Sequence, residues 1–384
     1  MEKIKTLSLF ANVGIAESYL DSLGITVVLA NELDEQRIKF YNHLYPNIKT
    51  IPGDITEKEV QKEIINCSKL AKIDMIMATP PCQGMSSVGK KDKNDIRNQL
   101  IKEVVHMVKE IMPKYVFLEN VPEQLSTFIK YKEKKILIPE YLELELGNEY
   151  IFNENKIINA ANYGVPQTRE RAIILMVRKD LNKKWEFPIK DQKVVTLSDA
   201  ISHFPSLDPE VYDISYEEQI EFFPEYEKKR KEGLKFSKWH YPPKHVYRQV
   251  YSLMHTPSGK TAFNNKDEYK PKKTDGSFVK GFKNTYKRQS WNKPGYTITM
   301  YNRTIGSQNN VHPGRLLGKD ENGEEIYSDA RVLTICELLT VSSLPLDWNI
   351  PDWASDHFVR QVIGEGIPPL LVKKIMQELV FIHE

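Results

Sequence analysis

The sequence has few cysteines and no long apolar segment, and each absence removes a class of protein. Its three cysteines, Cys67, Cys82 and Cys336, do not form the pattern of a disulfide framework. It contains no apolar run of about 18 or more residues, as a membrane-spanning helix requires. The N-terminus also lacks the apolar core of a secretory signal. We therefore expect a protein of the reducing cytoplasm that does not act at a membrane.

The length of the chain favours more than one domain. Its 384 residues are 40% hydrophobic, which is sufficient for a large buried core. The sequence shows neither an internal repeat nor a low-complexity segment. We predict two domains.

The net charge is small, but the charges are unevenly distributed. The whole chain carries +2, whereas residues 228–303 hold nineteen Lys or Arg and four acidic residues, a local charge of +15. The remainder is therefore near −13, and residues 191–227 contain ten acidic residues and one lysine. A basic segment in a nearly neutral protein predicts a polyanionic partner at one face.

The first part of the chain alternates apolar strands with helices. Strands are predicted at 6–10, 25–30, just before Gly53, 73–78 and 115–118, and helices at 15–23, 34–44 and 96–112. Strands buried on both faces and separated by helices are typical of a doubly wound, mostly parallel α/β sheet. Two further strands, at 151–160 and 172–177, are predicted to form an antiparallel pair.

The character of the sequence changes after about residue 179. Prolines, aromatic residues and charges dominate there, and a helical period is visible only near 197–203. Regular helical patterns return at 333–341 and 368–382. We therefore predict a catalytic and ligand-binding domain at 1–178, a smaller irregular domain at 179–330, and a C-terminal segment at 331–384 that returns to the first domain.

Polar or special residues follow several predicted strands. In an open parallel sheet such positions line one crevice, where ligands bind. These positions are Phe10 to Gly14, Glu32, Asp54, Pro80 to Gln83, and Glu119 with Asn120. A cysteine at such a place, Cys82, is a candidate nucleophile. Each residue also has an ordinary interpretation: Cys82 as an inert buried thiol, Glu119 as a residue next to a helix start, and Arg169 and Arg171 as solvated strand residues.

The complete set of motifs is far more specific than any one of them. In chain order the motifs are Phe10-Ala11-Asn12-Val13-Gly14, Asn31-Glu32, Gly53-Asp54-Ile55, Pro80-Pro81-Cys82-Gln83, Glu119-Asn120-Val121, Gln167-Thr168-Arg169-Glu170-Arg171 and Gly364-Glu365-Gly366-Ile367-Pro368. This set resembles the C5-cytosine DNA methyltransferase family of prokaryotic restriction-modification systems. The resemblance covers about 7–171 and again about 312–384. The basic stretch between them lies where the family has its variable target-recognition region.

The resemblance implies a catalytic role for four residues. Cys82 would add to C6 of the cytosine as a thiolate, which makes C5 nucleophilic. Glu119 would bind the N3 and N4 edge of the base and assist protonation at N3. Arg171 would contact O2, and Arg169 would stabilise the site near Cys82. The target cytosine would be flipped out of the duplex.

The resemblance also implies S-adenosylmethionine as the cofactor. Its expected contacts are Phe10, Asn12, Val13, Gly14, Ile15, Glu32 at the ribose, Leu33, Asp54 and Ile55 at the adenine, Pro81, Leu100, Glu365 and Gly366. Two residues depart from the family pattern. Asn12 replaces a usual glycine, although asparagine tolerates positive φ, and Glu365 replaces a usual asparagine. The resemblance leaves two roles open for a carboxylate at 365: it would either contact the amino group of the cofactor or be a local change at the surface.

Double-stranded DNA is the partner that the resemblance implies, and the basic charge of residues 228–303 supports it independently. Candidate DNA-binding residues are Gln83, Ser86 and Arg97 in a loop that resembles the family's mobile active-site loop, and Arg288 and Arg303 in the basic region. We expect a monomer without an obligate protein partner, located in the cytoplasm and associated with the nucleoid through DNA. His240, His245 and His255 lack metal-ligand partners in the sequence, so we expect no metal site.

Other functions remain open on the sequence alone. A tRNA cytosine methyltransferase shares the catalytic motifs, although the long basic insert favours DNA. A DNA-binding regulator that has lost activity would not need Cys82, Glu119, Arg169 and Arg171 together. A nicotinamide-dependent dehydrogenase is disfavoured because no Gly-x-Gly-x-x-Gly follows the first strand.

Overall fold

A central eight-stranded sheet organises the molecule. The computed structural model describes residues 3–81, 96–154 and 156–383. The sheet strands are β1 (Ile4–Leu9), β2 (Ile25–Glu32), β3 (Lys49–Pro52), β4 (Met75–Ala78) and β5 (Tyr115–Asn120), and then β8 (Tyr150–Phe152), β9 (Lys156–Asn159) and β10 (Glu170–Arg178). Three two-stranded pairs lie outside it: β6 (Phe128–Tyr131) with β7 (Lys134–Leu137), β11 (Glu210–Val211) with β12 (Lys244–His245), and β13 (Leu316–Lys319) with β14 (Glu325–Tyr327).

Eleven α-helices are present in the part of the chain that the structure describes. They are α1 (Glu35–Leu44), α2 (Lys58–Ala71), α3 (Ile101–Ile111), α4 (Ile138–Leu146), α5 (Leu197–Ile201), α6 (Tyr216–Phe222), α7 (Tyr226–Phe236), α8 (Tyr247–Met254), α9 (Ile335–Val341), α10 (Asp356–Glu365) and α11 (Pro369–His383). None of the described helices has the length and apolar character needed to cross a membrane.

The order of the strands confirms the predicted doubly wound sheet. It runs β3-β2-β1-β4-β5-β10-β8, and the first five of these strands are parallel. The order therefore reverses between β1 and β4, which is where open α/β sheets bind ligands. The expected antiparallel strands are present as well, because β10 pairs antiparallel with β5, β8 and β9.

Both faces of the sheet are buried, which explains the continuous apolar runs of its strands. Side chains alternate along β5: Val116 and Leu118 enter one core with α2, α3 and α4, whereas Phe117 enters the other core with α11. The carboxyl ends of the parallel strands are thereby held rigidly along one edge.

Two regions differ from the sequence prediction. Residues 15–23 form tight turns and a single 3₁₀ turn, because backbone N–H groups there donate to carbonyls three residues back. The region 179–330 is more regular than expected, since it contains α6, α7 and α8 in addition to the predicted α5. Helix α7 is charged around most of its surface and buries only Tyr226 and Gly233, so it shows no apolar period.

The region 179–330 has a small core of its own, built around residues such as Val250, Leu253, Ile305 and Val311. Other parts of this region, around Leu197 and Ile298, pack against the rest of the chain. The core that they enter contains Val13, Leu197, Ile298 and Leu339, which come from all three predicted segments. The domain boundaries at 178 and 330 stay a prediction.

Candidate functional site

Glu119, which is buried, forms an ion pair with the partly buried Arg171 at the end of β5. The antiparallel register places Ile173 of β10 opposite Glu119, so Arg171, two residues before Ile173, lies on the same face. Arg171 Nε is 2.7 Å from Glu119 Oε1, and Glu119 is only 8% exposed. Burial raises the pKa of Glu119, and the positive charges of Arg171 and Arg169 offset that shift only in part. The carboxyl group is therefore better able to hold a proton than an exposed glutamate.

Arg169 is a buried clamp rather than a solvated strand residue, because it is only 2% exposed. Its Nη1 donates to the carbonyl of Ile298 at 2.6 Å. Its Nη2 donates to the carbonyls of Gly364 at 2.9 Å and Glu365 at 3.1 Å. Arg169 thus joins the start of β10 to the late glycine motif and to the chain before residue 300.

Asn120 fixes the backbone that leads to the cysteine. Its side-chain amide donates to the carbonyl of Pro80 at 3.0 Å, and its oxygen accepts from the N–H of Val121 at 2.8 Å. Thr79 joins the same segment to the first loop, since its hydroxyl donates to the carbonyl of Phe10 at 3.1 Å. Pro81 is the last described residue of this segment, and Cys82, Gln83 and Ser86 lie outside the described residues.

Glu32 organises the crevice at the end of β2. Its Oε2 accepts from the backbone N–H of Asn12 at 2.9 Å, and its Oε1 accepts from those of Leu33 and Asp34 at 3.0 and 3.1 Å. Leu33 is 64% exposed directly beside this carboxylate. The structure therefore places a fixed carboxylate beside an exposed apolar side chain at the end of β2.

The loop after β1 adopts a left-handed conformation at three positions. Phe10, Asn12 and Gly14 have φ values of 57°, 51° and 79°. Asparagine is one of the few residues with a side chain that enters this region readily, so Asn12 can replace a glycine there. Gly14 is required for a further reason: a Cβ at this position would lie 2.3 Å from the Tyr45 ring, whose hydroxyl donates to the Gly14 carbonyl at 2.7 Å.

The other predicted cofactor residues differ in exposure. Val13, Ile15 and Ile55 have buried side chains in the hydrophobic cores, so their side chains contribute packing rather than an exposed lining. Pro81, Leu100 and Asp54 are partly exposed. The carboxylate of Asp54 already has local partners, because its Oδ1 accepts from the N–H and the hydroxyl of Thr56, both at 2.8 Å.

The late motif closes against the first loop. The place of a Cβ on Gly366 is taken by the side chain of Ile15, at 2.7 Å. Glu365 contacts Asn12, and its second partner is Arg37 of α1, at 2.9 Å. Sequence reasoning missed Arg37, because an arginine in the first turns of a helix carries no signal of its own.

The predicted DNA-binding role of Arg288 is wrong, because this residue is buried. Its side chain is 0% exposed, and its guanidinium donates to the carbonyls of Leu253, His312, Ser328 and Asp329 at 2.9–3.0 Å. The charge serves to satisfy backbone acceptors inside the protein. Arg303 is available at the surface, where its side chain is 60% exposed, and Arg97 lies in a 3₁₀ turn before α3.

The structure offers no evident metal site in the ranges it describes. No group of three or more His, Cys, Asp or Glu residues there is arranged to hold an ion. His240 instead contacts the Thr334 hydroxyl and the Pro205 carbonyl, and the ring nitrogen of His245 accepts from the N–H of Val332.

Comparison with known proteins finds relatives that match almost the whole length of the chain. The family model for C-5 cytosine-specific DNA methylases matches residues 4–380. The type II methyltransferase M1.HgaI of Avibacterium volantium is 40% identical over 98% of both chains. The type II methyltransferase M.DdeI of Desulfomicrobium norvegicum is 26% identical over 98% of this chain and 89% of its own length.

A solved structure agrees at the level of the fold. The Entamoeba histolytica methyltransferase EhMeth superimposes with a TM-score of 0.60 at 14% identity, over the full length of both chains. The family model matches nearly the whole chain, and the fold agrees with it, because the chain forms a doubly wound sheet with the Glu119–Arg171 pair at its edge. The chain belongs to the C-5 cytosine-specific DNA methylases, S-adenosylmethionine-dependent enzymes that methylate cytosine C5 in DNA.

Proposed function

We propose that the protein is the modification enzyme of a type II restriction-modification system. In this role it methylates one cytosine within a specific duplex sequence. The names of its relatives support the assignment, because M1.HgaI and M.DdeI are both type II methyltransferases. The basic region 228–303 supplies the positive surface that a duplex requires.

The crevice at the switch point fits S-adenosylmethionine. The Glu32 carboxylate suits the ribose hydroxyls, and the exposed Leu33 suits one face of the adenine ring. Asn12 adds a buried side-chain oxygen that has no hydrogen-bond partner among the described residues, which is an acceptor for a polar ligand. When bound, the cofactor supplies an electrophilic methyl group.

The chain's own residues divide the work at the cytosine. Cys82 adds through its thiolate to C6, and Glu119 places a proton at N3, so that the ring becomes electron-rich at C5. Arg171 shares the face of Glu119 and holds the O2 side of the base. After methylation, water acts as the base that removes the C5 proton, and the electron pair of that bond forms the C5–C6 double bond while the C6–S bond breaks and returns the Cys82 thiolate. The N3 proton returns to Glu119, which restores its acidic form.

The surface of residues 270–283 is proposed to contact the DNA. It is basic and exposed, with Lys273, Lys280 and Lys283 next to the exposed rings of Phe278 and Phe282. Lysines hold phosphates, and exposed aromatic rings pack against bases or sugars. Arg303 is a further exposed positive charge, beside Asp356 of α10.

One observation supports the proposed mechanism most strongly. A carboxyl group with a raised pKa, Glu119, lies beside Arg171, and the next residue in the chain, Asn120, donates a hydrogen bond to the Pro80 carbonyl in the segment that leads to Cys82. Buried acids of this kind are typical of active sites, because ordinary surface packing does not stabilise them.

The experiment measures transfer of tritium from labelled S-adenosylmethionine to duplex DNA and to tRNA. We expect label in DNA for the wild type and none above background for Cys82→Ala. Glu119→Gln keeps the shape of the side chain but lacks the acidic proton, so its turnover should fall by about 10²–10⁴-fold.

Glu143→Gln is the matched control, because Glu143 is an exposed glutamate on α4. It should transfer methyl groups at the wild-type rate. Label that enters tRNA alone would exclude DNA as the substrate, and undiminished transfer by Cys82→Ala would exclude the covalent mechanism.

A further inference from the structure

The two residues that depart from the family pattern contact each other. Asn12 Nδ2 donates to Glu365 Oε2 at 3.1 Å, although 353 positions separate them in the chain. The same oxygen is 2.9 Å from Nη2 of Arg37, and Gln361 Nε2 donates to the other carboxylate oxygen at 3.1 Å. Both oxygens of Glu365 are therefore engaged by this chain, and Arg37 neutralises its charge.

These contacts hold Asn12 from two sides. Its backbone N–H donates to Glu32, and its side chain donates to Glu365. The backbone there has a φ of 51°, a left-handed conformation that is unfavourable for most residues with a side chain. Two hydrogen bonds to carboxylates are enough to offset that cost.

The contact also determines which way the Asn12 amide points. Only its NH₂ group can face a carboxylate, so the amide oxygen must point away from Glu365. That oxygen is buried and finds no hydrogen-bond partner in the described ranges. A buried, unpartnered acceptor in the cofactor crevice is suited to a donor group on the ligand.

We propose that Glu365, supported by Arg37, is a positioning residue that fixes Asn12 for cofactor binding. The family's usual glycine adopts a positive φ without help, whereas Asn12 is held in that conformation by its contact with Glu365. Asn12 and Glu365 thereby order the first loop before the ligand binds. The inference rests on the proposed cofactor, and it assigns Glu365 a contact with Asn12 rather than with the amino group of S-adenosylmethionine.

A double-mutant cycle tests the coupling. Binding of S-adenosylhomocysteine to the DNA-free protein is measured by calorimetry for the wild type, Glu365→Ala, Asn12→Gly and the double variant. Glu365→Ala should weaken binding about tenfold, the loss of one charge-assisted hydrogen bond. In the Asn12→Gly background the same change should weaken binding less than about twofold, since its partner is already absent.

Two further variants separate positioning from general damage. Glu365→Gln keeps an acceptor for Asn12 and should retain most of the affinity. Glu35→Ala removes an exposed carboxylate from the same helix as Arg37, and it should bind as the wild type does. Thermal unfolding of each variant identifies any loss of folded protein.

Hydrogen exchange gives a readout that needs no cofactor. Glu365→Ala should speed exchange of the amides of residues 11–14 in the ligand-free protein, whereas Glu365→Gln should not. Equal losses of affinity in both backgrounds, with unchanged exchange, would overturn the proposal. A wild type that binds no S-adenosylhomocysteine would instead contradict the proposed cofactor, and the exchange result would still decide whether Glu365 positions Asn12.

Discussion

Arg331 shows how individual buried charges join the region 179–330 to the C-terminal segment. Its guanidinium is fully buried and contacts Glu337 of α9 at 2.8 Å and Asp329 at 2.7 Å. Burial alone would raise the pKa of Glu337, but Arg331 and His312 outweigh it and hold that pKa at about 2. The group is stable only as a complete set, because an unpaired charge at this depth costs several kcal/mol.

His312 is the member of this set that responds to mild acid. Its Nδ1 accepts from the N–H of Gly314 at 3.1 Å, which requires a neutral ring. Burial lowers its pKa to about 4, although Asp329 and Glu337 favour the charged form. The unfolded chain therefore binds a proton on His312 below about pH 6.5 and the folded chain does not, so stability falls as the pH is lowered.

This prediction is tested with His312→Asn, whose amide oxygen can still accept from Gly314. Between pH 7.5 and 5.0 the wild type should lose roughly 2 kcal/mol of its advantage in unfolding free energy over the variant. Chemical denaturation at both pH values measures this. Glu17, whose pKa burial raises to about 7, works in the opposite direction but contributes equally to both proteins. An unchanged difference would show that His312 does not titrate on unfolding.

At the scale of elements, helix α10 is pressed against the backbone that follows Ile298. Gly364 lies in its last turn, where a Cβ would be 2.2 Å from the carbonyl oxygen of Thr299 and 2.6 Å from the nitrogen of Met300. These are backbone atoms, which cannot turn aside as a side chain can. Arg169 binds the carbonyls of Ile298 and Gly364, so it reinforces the same contact.

Gly364→Ala should therefore destabilise the protein by at least about 1–3 kcal/mol, the usual cost of overpacking. Gly306→Ala is the matched control, because a Cβ there would meet only the ring of Tyr286 at 3.6 Å or more, an ordinary contact. Thermal unfolding should show a lower melting temperature for Gly364→Ala alone. Equal melting temperatures for the two variants would mean that the close approach at Gly364 is absent in solution.

Elements with a strong periodic signal were predictable from the sequence, and single contacts were not. The buried runs of β1, β4 and β5 identify the sheet, and the order of the motifs identifies the site at its edge. Helix α7 escaped prediction because it buries only two residues and has no apolar period. Arg288 was misread because a sequence shows the charge of an arginine but not the four carbonyls that enclose it.

At the scale of the whole molecule, the basic region and the carboxyl edge of the sheet both belong to the proposed DNA-binding site. The crevice at the switch point, the buried acid and the Pro80 segment meet at the carboxyl ends of the strands. The region 179–330 packs on the same core through residues such as Leu197 and Ile298, so its basic surface is held in a fixed relation to the site. We infer that duplex DNA lies between these two parts of the protein.

In the proposed mechanism, Cys82 attacks C6 of a cytosine in duplex DNA. The most direct measurement incubates the protein with S-adenosylmethionine and a duplex that carries 5-fluorocytosine at the target, and then looks for a covalent complex that survives denaturation. Fluorine cannot leave as a proton does, so the adduct should accumulate, with its DNA attached at Cys82 in the peptide map. A wild-type protein that methylates ordinary duplex DNA but forms no such adduct, or forms it on another residue, would show that Cys82 is not the nucleophile.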